Sequence, residues 1–188
     1  MPTLRPPQRI FIYGVPGSGK TTIGQALAAR LDYLFVEADC VRDHAQGRSS
    51  HARRDPFLAL GTTEAWRPFG ELSQSTAVRG LMAVRDALAP FVAEEIEKQR
   101  VPFVLEAAFL QPSDVRHVGP VLLIVTEDEL AHENRFFEHR VRDQSNIDAL
   151  RAARILQVYL MQEARQAGIG ILSNCGTVEE VTLSIDIN

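Results

Sequence analysis

The strongest chemical signature in the chain is Gly14-Val15-Pro16-Gly17-Ser18-Gly19-Lys20-Thr21, followed by Thr22. The pattern is a glycine, four residues, then Gly-Lys and a hydroxyl residue. Glycines at this spacing let backbone N–H groups turn inward and approach an anion. Lys20 adds a point charge for the terminal phosphates of a nucleotide, and Thr21 offers a hydroxyl to a divalent cation. That lysine is not background, because of 20 basic residues only Lys20 and Lys98 are lysines. Residues 14–22 are thus read as a site for ATP with Mg²⁺.

A phosphate loop needs a strand before it and a helix after it, the helix adding its positive dipole end. Residues 9–13 (RIFIY) form an apolar, β-branched run suited to a buried strand, and Ile23, Leu27 and Leu31 recur at helical spacing just beyond. Further strands are expected at residues 33–37, 101–105, 121–125 and 168–173. Helices are expected at 71–100, with an interruption near Pro90, at 127–142 behind the acidic run TEDE, at 148–167, and from Thr177 onward. Strands alternating with helices imply an α/β fold with a parallel sheet covered on both faces, since parallel strands need crossover connections. One domain is expected over the 188 residues. Residues 40–70, punctuated by Gly47, Pro56, Gly61 and Pro68, form a substrate-facing insertion, and residues 127–145 form a lid.

Ligands of open α/β sheets bind at the carboxyl ends of the strands, so acids there are candidates for chemistry. Glu106 follows the third strand, where it would hold Mg²⁺ or face the substrate; the alternative is a helix cap or loop carboxylate. Asp39 follows the second, where it would orient or deprotonate an acceptor hydroxyl; the alternative is an N-cap. The segment HENRFFEHRVR carries Arg135, Arg140 and Arg142 with Phe136 and Phe137 to anchor it. Arginines of this kind close over a triphosphate and spread transition-state charge, or else pair on the surface with Glu133, Glu138 and Asp143. Lys20, Asp39 and Arg135 are the catalytic candidates, and Arg140 joins the nucleotide contacts.

The five histidines, His44, His51, His117, His132 and His139, show no metal spacing and read as ordinary surface or core. Cys40 and Cys175 match neither a zinc site nor a disulfide framework, which suits reduced thiols and a cytoplasmic location. No apolar run is long enough to cross a membrane, and the first ten residues lack a signal peptide's apolar stretch. A net charge of −4 argues against wrapping a nucleic acid. The expected partner is a small molecule, with the chain acting as monomer or homodimer.

With these residues in view, the chain resembles the archaeal 2-phosphoglycerate kinase family within the P-loop kinases. The likeness starts at about Ile10, without the additional N-terminal domain common in that family. It runs through GVPGSGKTTI, ADCVRD, TTEAWRPF, LEAAFLQP, TEDELAHENRFFEHR, RILQVYL and GIGILSNC. The resemblance implies the three-layer P-loop sandwich, with five parallel strands in the kinase order 2-3-1-4-5. It also implies ATP-dependent phosphorylation of a small phosphorylated hydroxy acid. By position it makes Asp39, Arg42, Arg67 and Arg135 substrate or transition-state contacts. The chain departs from the family at Glu106, which is followed by Ala107, Ala108 and Phe109 in place of Gly, any residue and His. Two alternatives stand beside this reading. One is a kinase for a nucleotide, for a nucleotide-sugar in the manner of zeta-type toxins, or for an antibiotic. The other is a nucleotide-hydrolysing switch or ATPase without transfer.

Overall fold

In the computed structural model, residues 8–48 and 55–185 are described, apart from the side chains of Ala38, Asp39 and Arg48. The chain alternates strand and helix as its periodicity requires. β1 (Arg9–Tyr13) leads through the glycine loop into α1 (Lys20–Leu31), and β2 (Leu34–Glu37) runs directly into α2 (Ala38–Arg48). Two 3-10 turns, Pro56–Leu58 and Arg67–Phe69, precede the long α3 (Gln74–Lys98). β3 (Phe103–Glu106), α4 (Pro112–Val115), β4 (Val121–Val125), α5 (Glu129–Phe137), α6 (Gln144–Ala167), β5 (Gly170–Ser173) and α7 (Val178–Leu183) complete it.

All five strands pair in parallel, in the order β2-β3-β1-β4-β5. β1 is central, and Ile10 to Tyr13 are fully buried because both faces of the sheet are covered. On one face Ile10 and Ile12 meet Ile23 and Leu27 of α1 and Val181 of α7. On the other, Phe11 and Tyr13 pack with Leu81, Val84 and Leu88 of α3 and Leu156 and Leu160 of α6. Burying each of these aliphatic side chains contributes roughly 1.5–3 kcal/mol, which fixes the strand ends that carry the site. Among the described residues no helix is long and apolar enough to cross a membrane.

The structure corrects several sequence-based boundaries. α3 passes through Pro90 without a break. Pro90 lies on the exposed side of the helix, where water can satisfy the carbonyl it leaves unbonded, while Leu88 and Val92 on either side stay buried. α5 stops at Phe137 instead of reaching residue 142, so Arg140 and Arg142 lie in the connection to α6. Its cap is Asp128, whose carboxylate accepts from the Ala131 amide at 2.6 Å. α6 starts at Gln144, behind the cap Asp143, four residues earlier than its apolar stripe suggests. The turn-rich QPSDVRHVGP contains the short α4, opened by Pro112 in the first turn where a missing N–H costs nothing.

Candidate active site

The loop between β1 and α1 has backbone angles that only glycine adopts freely: φ is +155° at Gly14 and +82° at both Gly17 and Gly19. A Cβ would also have no room at these positions. At Gly14 it would strike the carbonyl of Ile124, at Gly17 the His132 ring at 2.9 Å, and at Gly19 the Asn174 amide. Gly19 is the N-cap of α1 and lends its first turn no side-chain cap, so the leading N–H groups remain available to an anion. Val15 and Ser18 are buried, and Ser18 Oγ has no hydrogen-bond partner among the described residues.

At the mouth of this cradle three functional groups converge. Thr21 Oγ1 donates to Glu106 Oε1 at 3.0 Å, and Lys20 Nζ stands 3.7 Å from Glu106 Oε2. Glu106 is only 2 % exposed, yet its Oε2 has no hydrogen-bond partner. A buried carboxylate with one oxygen unfilled, beside a hydroxyl and an ammonium, suits a hydrated divalent cation. Thr21 and Glu106 are the residues that would hold it. No cluster of three or more His, Cys, Asp or Glu able to bind a metal occurs among the described residues.

Two cavities meet at this point. One, of about 570 Å³, runs along Gly19, Thr22, Arg135, Glu138 and His139. The other, of about 420 Å³, is lined by Arg42, Thr62, Thr63, Glu64, Phe109 and Asn146 among others. Gly17, Lys20, Thr21, Glu37 and Arg140 line both. Arg42 donates to the carbonyls of Ala59 and Leu60 at 3.3 and 3.0 Å, and its guanidinium lies 5.5 Å from the centre of the Phe109 ring. Phe109 is also a wall of a third cavity, of about 320 Å³, between α3 and α4.

The arginines beyond α1 divide by position. Arg135 donates to Thr126 Oγ1 at 2.9 Å and to the Asn174 carbonyl at 3.2 Å, which holds it at the rim of the larger cavity. Arg140 lies 4.4 Å from the centre of the Phe136 ring and donates to the Phe136 carbonyl at 2.8 Å. Arg142 pairs with Glu133 over the Phe137 ring and lines neither cavity. Arg67, expected among the acceptor contacts, is exposed and donates to Ser145 Oγ at 2.6 Å, outside both linings. The 3-10 turn that carries it directs it toward the start of α6.

The Asp39 side chain lies outside the described residues; its backbone is in the first turn of α2. The carboxylate the structure does place at the end of β2 is Glu37, which pairs in register with Glu106 on the neighbouring strand. Its place as the last residue of an apolar run was the available signal. Thr62, Thr63, Glu64 and Asn146 carry no comparable pattern.

His132, read from sequence as ordinary, is fully buried behind the loop, with Nε2 2.8 Å from the Pro16 carbonyl and Nδ1 3.2 Å from Arg154 Nη1. Burial, helped by the charge of Arg135 and opposed by the Pro16 bond, lowers its pKa below the ordinary histidine value. Its spacing of four from the buried Phe136 on α5 was the one hint that it faces inward.

The model of the family described as "AAA domain" matches residues 10–135, from β1 to Arg135. The chain belongs to that family. Among curated relatives, this AAA-domain chain is 48% identical to a shikimate kinase of Synechococcus elongatus over 40 residues, 21% of each chain. It is 33% identical to shikimate kinase 2 of Yersinia pseudotuberculosis over 82 residues, 44% of this chain and 42% of that one. These matches thus span less than half the length of the relatives. A shikimate kinase structure from Acinetobacter baumannii, in complex with shikimate, superposes with a TM-score of 0.57. It is 19% identical and covers 93% of this chain and 88% of its own. The fold is the P-loop kinase fold, with its strand order 2-3-1-4-5. The likeness is to P-loop kinases broadly, and none of these matches singles out 2-phosphoglycerate kinases.

Proposed function

We propose that the chain is an ATP-dependent phosphotransferase that moves the γ-phosphate onto a hydroxyl of a small anionic metabolite, with Mg²⁺ at Thr21 and Glu106. The observation that carries this reading is the boundary between the two cavities: Lys20 and Thr21 border both. A nucleotide in the larger one would bring its terminal phosphate to the edge of the smaller one, where an acceptor hydroxyl can meet it in line. Lys20 and the α1 amides would stabilise the charge spread over the transferring group, and Arg135 and Arg140 would approach it from the lid side. Asp39 is the proposed group that orients or deprotonates the acceptor hydroxyl.

Arg42 and Arg140 in the smaller cavity favour an anionic guest, while Thr62, Thr63 and Glu64 offer partners to hydroxyls. Shikimate, named for the relatives, and 2-phosphoglycerate, suggested by the family resemblance, both have that chemistry. The loss of the polar Gly-any-His segment after Glu106, with Phe109 in its place, favours the carboxylate with a carbon ring over the phosphorylated acid.

The test is a transfer screen with γ-labelled ATP and Mg²⁺ against shikimate, 2-phosphoglycerate, a nucleoside monophosphate, a nucleotide-sugar and an aminoglycoside, read by product mass. Labelled product from an anionic hydroxy compound is expected. ADP release without any phosphorylated acceptor would replace the reading with a hydrolysing ATPase. Transfer to the aminoglycoside alone would overturn the anionic acceptor.

A further inference from the structure

A phosphate cradle has an outer side as well as an inner one. In a trans peptide unit the C=O and N–H point in opposite directions, so an N–H aimed into the cradle sends the carbonyl of the preceding residue outward. Outward carbonyls that are buried need donors of their own. Here two are served from distant elements. Ser18 O, whose peptide carries the Gly19 N–H, accepts from Thr126 Oγ1 at 3.2 Å and from Asn174 Nδ2 at 3.0 Å. Pro16 O, whose peptide carries the Gly17 N–H, has His132 Nε2 at 2.8 Å.

We propose that His132 is a positioning residue for the nucleotide: its Nε2–H, donated to the Pro16 carbonyl, keeps the Gly17 amide turned toward the cleft and ties that orientation to the α5–α6 pair. The inference rests on reading the loop as a nucleotide site. A carbonyl only accepts, so Nε2 must carry the proton, and Nδ1 is then the lone pair that receives Arg154 Nη1 at 3.2 Å. Arg154 Nη2 in turn meets Glu129 at 2.8 Å, in the first turn of α5. The ring is fully buried against Gly17, so the bond is made out of contact with bulk water. Without that donor the Pro16 peptide is free to rotate in search of another partner, and such a rotation carries the Gly17 N–H away from the phosphate.

Two substitutions separate the bond from the bulk of the ring. Glutamine places an amide N–H near the position of Nε2, whereas asparagine places its polar atoms near Nδ1 and cannot reach Pro16. The experiment measures MgATP affinity by calorimetry for the wild type, His132→Gln and His132→Asn. It also measures amide exchange at Ser18 and Ile23 in the nucleotide-free proteins. These two amides donate within the loop and first turn at 3.2 and 3.1 Å. The expected result is an affinity lower by about tenfold or more in His132→Asn and within about threefold of wild type in His132→Gln. Faster exchange at Ser18 in the asparagine variant alone should accompany it. A merely structural role would lower the melting temperature of both variants without separating their affinities. Equal affinities for the two variants, or equal exchange in all three proteins, would overturn the proposal. If the wild type takes up no MgATP, the nucleotide reading fails by itself. The exchange rates then decide whether His132 holds the loop.

Discussion

Replacing Glu106 by glutamine changes one charge at nearly constant volume, and its effect can be worked out from two distances and its burial. In the resting protein Glu106 accepts from Thr21 at 3.0 Å and faces Lys20 at 3.7 Å. The Lys20 attraction is about 4–5 kcal/mol gross at an effective dielectric constant of about 20. Most of that is cancelled by the cost of keeping a carboxylate that is 2 % exposed away from water. Lys20, at 13% side-chain exposure, can swing into the cleft once its partner is neutral. The net loss of stability is therefore small, about 1–2 kcal/mol, or about 3–6 °C in melting temperature.

The effect on ligand binding is larger and has a definite sign. Without the carboxylate, the increment that Mg²⁺ adds to ATP affinity should fall by about 3 kcal/mol, on the order of 10²-fold. ATP without Mg²⁺ should bind at least as well as to wild type, because Lys20 is released to the phosphates. Calorimetric titration of ATP with and without Mg²⁺ on both proteins checks this. A glutamine variant that kept the full Mg²⁺ increment would refute the assignment of Glu106 to the cation.

Lys20→Ala should reduce phosphoryl transfer by at least on the order of 10²-fold while the circular dichroism spectrum stays native; turnover near wild type would dismiss the cradle. Asp39→Asn should lower transfer far more than it lowers MgATP affinity, and the reverse pattern would reassign Asp39 to nucleotide binding. Arg85 meets Glu163 through two bonds of 2.8 and 3.0 Å with its side chain 1% exposed, joining α3 to α6. Arg85→Met should cost about 3 kcal/mol by leaving that carboxylate beside the buried Tyr13. Adding Glu163→Leu should recover more than half, as thermal unfolding of both variants would show. The fourth concerns pH. Because the folded pKa of His132 lies below its unfolded value of about 6.5, the unfolded chain binds more protons in the window between them. Its contribution is complete above that window and is lost as pH falls through it. Arg154 and Arg135 face the ring with fixed charge and keep the same sign throughout. Melting temperature should drop more steeply from pH 7 to 5 in wild type than in His132→Gln, and parallel curves would rule this out.

The elements nearest the glycine loop were the most legible, for a physical reason. β1 and β4 are central strands buried on both faces, so each reads as an uninterrupted apolar run with sharp ends. Edge strand β2 is only partly covered, with Val36 the one buried residue of its four, and begins one residue later than its sequence suggests. Pro90 misled because a proline breaks a helix only where its missing bond cannot be replaced, and sequence does not say which side faces water. The shape of the glycine loop was legible, since its glycines are required by positive φ and by close approach. Its outer side was not: His132, Thr126 and Asn174 lie more than 100 residues away along the chain and meet the loop only after β1, β4 and β5 have aligned. Arg67 in the insertion and Arg140 on the expected lid helix were both read as ligand contacts. Only the direction of the 3-10 turn at residues 67–69 and the aromatic platform of Phe136 tell them apart.

Arg140 rests on that platform under light restraint. A cation–ring contact at a partly open site is worth roughly 1 kcal/mol, and the hydrogen bond from the charged guanidinium to the neutral Phe136 carbonyl adds about 1.5 kcal/mol. An arriving oxyanion would add charge on the acceptor side as well, and could take both guanidinium N–H groups at once. The side chain can thus change allegiance by rotating about its own bonds, leaving the helix beneath it wound. If Arg140 does meet an anion there, the anion's departure would return it to this berth with no segment to refold.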